Sequence, residues 1–155
     1  MSKAPPAPLA VPALIAVVFL ALPLLGLLVR APWSNLPQLI SDPLVREALK
    51  LSVVSALLAT ALSLVFGVPL AWVLARTEFP GKALLRALVT VPLVLPPVVG
   101  GVALLLAFGR RGIVGRYLDQ WFDYTIPFTT TAVVLAETFV AMPFLILTVE
   151  GALRA

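Results

Sequence analysis

Glu137 is the residue in this sequence best placed to do chemistry, because it is the one ionisable side chain deep inside an apolar stretch. An ionisable residue within a membrane segment usually faces the protein interior and marks a functional site. The alternative, which we favour, is a protonated or hydrogen-bonded Glu137 that joins two helices. In either case we expect an intramembrane polar contact at this position.

Other chemistry finds little support in the residue types. The chain has no cysteine and no histidine, which removes thiol nucleophiles and the commonest general base and metal ligand. Gly81-Lys82 resembles the end of a phosphate-binding loop, but that motif needs glycine at position 76 and serine or threonine at 83, where Arg76 and Ala83 stand. We therefore predict no catalytic residues, no metal site and no cofactor, and hence a protein that is not an enzyme.

The composition excludes an ordinary soluble domain. Hydrophobic residues make up 61% of the chain, charged residues 12%, and the mean hydropathy is +1.11. So few charges cannot cover a soluble surface, since soluble domains carry about 25% charged residues. The net charge of +4 is too scattered along the chain to indicate a nucleic-acid partner.

Long charge-free runs organise the chain into spanning elements. Such runs lie between Lys3 and Arg30, between Lys50 and Arg76, and between Arg86 and Arg110, and a fourth is interrupted only by Glu137. A spanning helix needs about 20 mostly apolar residues, and in lipid a helix satisfies its own backbone. The predicted fold class is an all-α polytopic membrane protein with about four transmembrane helices.

Residues 1–8 are rich in proline and are predicted to form a disordered N-terminal tail. The first transmembrane helix should cover residues 9–30. A cleaved signal peptide is the alternative, but the apolar run is too long for one and Val29-Arg30-Ala31 is a poor cleavage site.

The second predicted helix begins near Pro43, whose fixed φ suits a first helical turn. It carries small residues at a spacing of four, which form one ridge along the helix: Ser55, Ala59, Ser63 and Gly67. A ridge of small residues lets another helix approach closely. We favour this helix-packing role over a polar stripe that faces a transport pathway.

The third predicted helix, Lys82–Phe108, contains helix-breaking residues at its centre: Pro92, Pro96, Pro97, Gly100 and Gly101. Each interior proline removes a backbone hydrogen bond, so we expect a bend or break at mid-membrane. Broken helices in transporters expose backbone dipoles to the substrate. These five residues are our candidates for a translocation pathway, and a kink that only shapes packing is the alternative.

A short amphipathic helix is predicted before the fourth spanning helix, Phe128–Leu153. The segment from Gly109 to Tyr124 combines three arginines with apolar and aromatic residues that fall near one helical face: Ile113, Tyr117, Leu118, Trp121 and Phe122. This pattern is typical of an interfacial helix in contact with membrane lipid. A partner-docking surface is the alternative.

Five stretches resemble the membrane subunit of bacterial molybdate ABC importers. They are the stretches Gly67–Ala71, Arg76–Lys82, Val91–Gly101, Phe108–Gly115 and Ala136–Gly151. The resemblance begins near Leu39, so residues 39–155 would be part of a permease transmembrane domain. Sulfate and tungstate permeases are close relatives of this family and remain alternatives, as does a small four-helix membrane scaffold of a different class.

The resemblance implies a type I import permease in the bacterial inner membrane with a cytoplasmic N-terminus, a point that the balanced loop charges leave open. It implies three kinds of partner: a second permease subunit, cytoplasmic ATPase subunits and an extracytoplasmic molybdate-binding protein. Members of the family carry an EAA motif that docks onto the ATPase. Glu150–Ala155 resembles the residues that lead into that motif, so we expect a truncated chain that does not transport by itself.

Overall fold

The computed structural model describes residues 7–155, which divide into one unit that ends at Arg46 and another that runs from Glu47 to Ala155. Most of the predicted tail, residues 1–6, lies outside the described residues. The described part of the chain forms helices joined by turns, and no strand occurs within it. This confirms the all-α fold class.

The first unit contains α1 (Ala7–Arg30), a 3-10 turn (Trp33–Asn35) and α2 (Leu36–Ser41). Helix α1 therefore starts two residues earlier than predicted. Its spanning segment is apolar all round, which is typical of a membrane-spanning helix. The indole Nε1 of Trp33 donates to the carbonyl of Leu28 at 2.7 Å and so caps the end of α1.

Five further helices complete the chain: α3 (Pro43–Arg76), α4 (Lys82–Val94), α5 (Pro97–Phe108), α6 (Gly115–Phe122) and α7 (Thr130–Arg154). Three helices, α1, α3 and α7, are each long and apolar enough to cross a membrane. The pair α4 and α5 supplies a fourth span if it is counted as one, but its axis turns by 118° at the break. The prediction of about four transmembrane helices is confirmed in this sense.

Helix boundaries follow local chemistry. Helix α3 begins at Pro43, as predicted, and the carboxylate of Asp42 accepts from the N–H of Leu44 at 2.8 Å. Helix α7 begins two residues later than predicted, because Phe128 takes a left-handed φ of 64° and Thr129 becomes the cap. The Thr129 hydroxyl oxygen accepts from the N–H of Ala132 at 3.4 Å.

The core of the second unit lies between α3, α4 and α7. Its buried centre consists of Ala71 and Leu74 from α3, Val89 from α4 and Ile146 from α7. Leucine, methionine and valine side chains from the same helices pack around this centre. These three helices therefore form a frame that includes α4, the first arm of the broken helix.

Candidate functional site: the broken helix and its neighbours

The predicted break in the third span lies between α4 and α5. Helix α4 ends at Val94, and Leu95 and Pro96 are extended, with ψ angles of 132° and 141°. Pro97 then occupies the first position of α5, where a missing N–H costs nothing. The consecutive prolines thus end one helix and begin the next within two residues.

Only some backbone donors are free at this corner. The N–H of Gly100, one of the candidate pathway residues, is occupied, because it donates to the carbonyl of Pro96 at 3.1 Å. The first turn of a helix leaves its N–H groups without intrahelical partners. At the start of α5 these groups belong to Val98 and Val99, whose side chains are exposed.

The structure does not bring the five candidate pathway residues into one cavity. Pro92 lines a cavity of about 310 Å³ between α3, α4, α5 and α7. Gly101 lines a separate cavity of about 170 Å³ between α5 and α7. Gly100 is buried and faces the ring of Phe139, whereas Pro96 and Pro97 lie exposed at the corner itself.

Both cavities are apolar. Thr138 is the one side chain with a hydroxyl among their lining residues, and it already donates to the carbonyl of Val134 at 2.7 Å. No charged side chain lines either cavity. An anion at this site would therefore depend on backbone dipoles and water, because bare hydrocarbon cannot replace its hydration shell.

Glu137 faces α3. The hydroxyl of Ser55 donates to its Oε1 at 3.0 Å, and its Oε2 is buried without a hydrogen-bond partner among the described residues. Two residues further along α7, Phe139 points to Gly100 on α5. The carboxyl group and the broken helix thus lie on different faces of α7.

All four residues of the small-residue ridge on α3 are buried. At Gly67 the approach to α7 is so close that an added Cβ would lie 2.9 Å from the Cδ2 of Leu145. The hydroxyl of Ser63 is buried and has no partner among the described residues. The ridge therefore lies in the α3–α7 contact, where a larger side chain would force the helices apart.

An ion cluster at the other end of α7 was missed by the sequence analysis. Glu150 is 3% exposed, and its Oε1 accepts from Arg86 on α4 and, at 2.7 Å, from Arg154. Arg154 also donates to the carbonyl of Leu74 on α3 at 2.8 Å. The spacing of Glu150 and Arg154 by four residues was a local signal, but the partner on α4 lies 64 positions away.

The predicted interfacial segment contains a helix, α6, but it is shorter than the predicted apolar face. Ile113 lies outside it, in the turn after α5, because the helix begins at Gly115. The guanidinium of Arg110 donates through Nε to both carboxylate oxygens of Asp119 at 3.1 Å. This bond lowers the pKa of Asp119 below its ordinary value and raises that of Arg110.

Gly112, in the turn after α5, lies where no larger residue fits. The chain folds back onto the end of α5, where Ile113 and Val114 donate to the carbonyls of Leu106 and Ala107 at 3.1 and 2.8 Å. An added Cβ at Gly112 would lie 2.7 Å from those same carbonyl oxygens. The close approach therefore requires glycine at this position. It also fixes the backbone of the turn that carries Arg110 and Arg111.

Comparison with known proteins finds relatives among transport permeases. The chain is 49% identical over 143 residues to the molybdenum transport system permease protein ModB of Mycobacterium tuberculosis, an alignment that covers 92% of the chain and 54% of that protein. It is 44% identical over 108 residues to ModB of Escherichia coli, covering 70% of the chain and 47% of that protein.

A sulfate relative also appears. The chain is 41% identical over 138 residues to the probable sulfate transport system permease protein cysT of Marchantia polymorpha, which covers 87% of the chain and 48% of that protein. The chain is a homologue of molybdenum and sulfate transport system permease proteins. No protein-family model matches it.

This homology confirms the resemblance found in the sequence. The chain spans about half the length of the curated relatives that it matches. Together with its apolar helices, the homology identifies a multi-pass membrane protein.

Proposed function

We propose that this chain is part of the membrane-spanning permease of an ATP-driven molybdate importer in the bacterial cell membrane. The observation that carries the proposal is the 49% identity over 92% of the chain to proteins named molybdenum transport permeases. Sulfate is the second candidate substrate, because a sulfate permease relative aligns over nearly the same share of the chain at 41% identity.

The proposal includes partners that the family supplies. A second permease subunit would complete the pore, an extracytoplasmic binding protein would deliver the oxyanion, and cytoplasmic ATPase subunits would hydrolyse ATP. This chain would then contribute a pathway and no catalytic step. Residues 39–155 would form its share of the permease domain.

We place the anion path at the corner between α4 and α5. Molybdate is a dianion, and desolvating it beside hydrocarbon is prohibitive. Proline has no N–H, so the prolines at positions 92, 96 and 97 leave the carbonyls four residues before them without a backbone donor. Water can reach those carbonyls instead. The first turn of α5 adds free N–H groups at the positive end of a helix dipole.

Glu137 stands outside this path in our proposal. An ionised carboxylate beside the route would repel the substrate. Its hydrogen bond with Ser55 on α3 supports a helix–helix contact on the face of α7 turned away from Gly100. Glu137→Gln keeps an acceptor for Ser55 and should leave transport largely intact.

Gly101 offers the sharpest test of the path. No atom lies within 4 Å of a Cβ built there, and Gly101 stands one turn after Pro97 on the same face of α5. A leucine at this position would therefore narrow the approach to the corner without displacing the fold. In the transporter that contains this chain, Gly101→Leu should impair uptake of radiolabelled molybdate while the protein still assembles. Gly101→Ala is the matched control. Gly100→Leu should also impair uptake, but it must displace Phe139, which lies 3.5 Å from the added Cβ.

The outcome for Glu137 decides between two faces of α7. If Glu137→Gln abolishes uptake and Gly101→Leu transports normally, the path lies along the α3–α7 contact and our assignment is wrong. Excess sulfate in the same uptake assay separates the two substrates. Strong competition by sulfate would favour the sulfate candidate.

The proposed topology has a cytoplasmic N-terminus. The loop between α3 and α4 would then face the cytoplasm, and α6 would lie on the opposite side. Ala83 and Gln120 are both exposed. In intact cells a membrane-impermeant thiol reagent should label Gln120→Cys and spare Ala83→Cys, and the reverse pattern would invert the topology.

A further inference from the structure

The turn after α5 and the helix α6 carry a patch of arginines next to exposed aromatic side chains. We propose that this patch binds the phosphate headgroup of an anionic membrane phospholipid while the aromatic face of α6 enters the same leaflet. The inference deepens the proposed membrane role but does not depend on the transported anion.

The position of α6 in the chain keeps it close to the membrane surface. The segment from Gly109 to Thr129 is short, and it connects α5, which belongs to the broken span, to α7, which is long and apolar enough to cross a membrane. The return of the chain onto the last carbonyls of α5 keeps the turn at the end of that helix. The segment therefore stays within reach of the bilayer surface.

The two faces of α6 differ in chemistry. At about 100° per residue, Tyr117, Leu118, Trp121 and Phe122 fall within roughly 140° of arc, and the polar residues occupy the opposite side. Trp121 and Phe122 are 72% and 70% exposed, and nearby Ile113 is 73% exposed. Large aromatic residues exposed in this way are typical of a helix that lies at the membrane interface.

The polar side supplies an anion site. Arg110, Arg111, Arg116, Asp119 and Gln120 line a surface concavity of about 390 Å³. The carboxylate of Asp119 is engaged by Arg110. Arg111 and Arg116 form no ion pair among the described residues, so two positive charges remain available.

Arg116 is held in a fixed geometry. Its guanidinium lies over the ring of Tyr117, 4.6 Å from the centroid, and donates to the Tyr117 hydroxyl at 2.7 Å. The Tyr117 ring also packs on Trp121, with centroids 5.4 Å apart. The cation and the aromatic anchor thus form one unit. Guanidinium groups recognise phosphate through paired hydrogen bonds.

The charge and the apolar face together favour a lipid over a soluble ligand. A free phosphate would use the arginines but would leave the aromatic face in water. A phospholipid satisfies both, because its headgroup meets the arginines where its acyl chains meet Trp121 and Phe122. The lipid class that fits is phosphatidylglycerol or another lipid with net negative charge.

Quenching of Trp121 by brominated lipids tests this directly. The chain would carry Trp33→Phe and Trp72→Phe, so that Trp121 is the one tryptophan, and would be reconstituted in nanodiscs of phosphatidylcholine with a minor share of phosphatidylglycerol. Bromine is placed on the acyl chains of one lipid at a time. We expect the share of brominated phosphatidylglycerol beside Trp121 to exceed its share of the whole bilayer. The excess should be about fivefold for each free arginine.

Matched variants identify the site. Arg111→Gln should reduce the preference for phosphatidylglycerol without altering the fold, since the exposed Arg111 has no side-chain hydrogen bond or ion pair among the described residues. Arg111→Gln with Arg116→Gln should abolish the preference. Lys50→Gln, an exposed basic residue near the start of α3, should leave it unchanged.

Three outcomes would overturn the proposal. Equal quenching by both lipids would show membrane contact without headgroup binding. No quenching by either lipid would show that α6 faces water and would favour a protein partner. Loss of the preference on addition of millimolar inorganic phosphate would show a site for a free anion.

Discussion

Replacing Glu150 should reveal how much the ion cluster stabilises the helix frame. Its carboxylate is almost fully buried, whereas the side chains of Arg86 and Arg154 are 42% and 41% exposed. Glu150→Gln keeps the shape and one acceptor oxygen but removes the negative charge between two guanidinium groups. The frame at this end of α3, α4 and α7 should loosen as a result.

The magnitude follows from the two hydrogen bonds. A hydrogen bond to a charged group contributes roughly 1.5–3 kcal/mol and a neutral one roughly 0.5–1.5, so each bond should lose about 1 kcal/mol. The arginines can turn toward water, which avoids the roughly 3–5 kcal/mol cost of a stranded buried charge. We therefore expect Glu150→Gln to lower the free energy of unfolding by about 2 kcal/mol, or about 30-fold in the equilibrium constant.

Unfolding by sodium dodecyl sulfate in mixed micelles, followed by tryptophan fluorescence, measures this change. Glu78→Gln is the matched control, because Glu78 pairs with Lys82 at 2.6 Å but is 89% exposed. The lysine lowers the pKa of Glu78, yet an exposed pair is screened by solvent and should contribute little. If the two variants unfold alike, the cluster does not stabilise the frame and our reasoning from burial fails.

Three further predictions concern packing and pH. Gly67→Ala should change the free energy of unfolding by less than about 1 kcal/mol, because its gain in helix propensity offsets a shift of Leu145. Gly67→Leu should lower the free energy of unfolding by about 1–3 kcal/mol or more in the same assay. Gly115→Ala should disorder the turn after α5 and lower hydrogen-exchange protection there, since its Cβ would lie 2.7 Å from the carbonyl carbon of Phe108. Because the pKa of Asp119 is lowered in the folded chain, its pair with Arg110 should persist through the pH range in which an ordinary aspartate becomes protonated. The pair should weaken only at lower pH, and carboxyl NMR titration measures this.

The spanning helices could be predicted because their signal is local. Runs of apolar residues without charge indicate membrane helices directly, and Pro43 marks a helix start by its own geometry. The break near Pro96 was predictable for the same reason. Its angle was not, since a proline pair fixes where a helix ends but leaves the direction of the next helix to packing.

The ion cluster was not predictable from the sequence, because its members are distant along the chain. The sequence indicated Glu150 only as part of a lead-in to a docking motif, and Arg86 only as the boundary of a charge-free run. Only the packing of α4 against α7 brings them together. Similarly, the hydrogen bond that occupies the N–H of Gly100 depends on the turn at Pro96, which composition does not specify.

Helix α7 connects these features, because each of its faces meets a different partner. Glu137 meets α3 through Ser55, Phe139 meets α5 at Gly100, and Glu150 meets α4 through Arg86. In lipid, apolar contact alone gives helices little reason to associate, so close packing and interhelical hydrogen bonds must hold them. The polar contacts on α7 therefore fix the sides on which α3 and α4 lie, and the small residues on α3 and α5 set how closely these two helices can approach. A corner of free backbone groups can persist between α4 and α5 because both arms are held against the same helix.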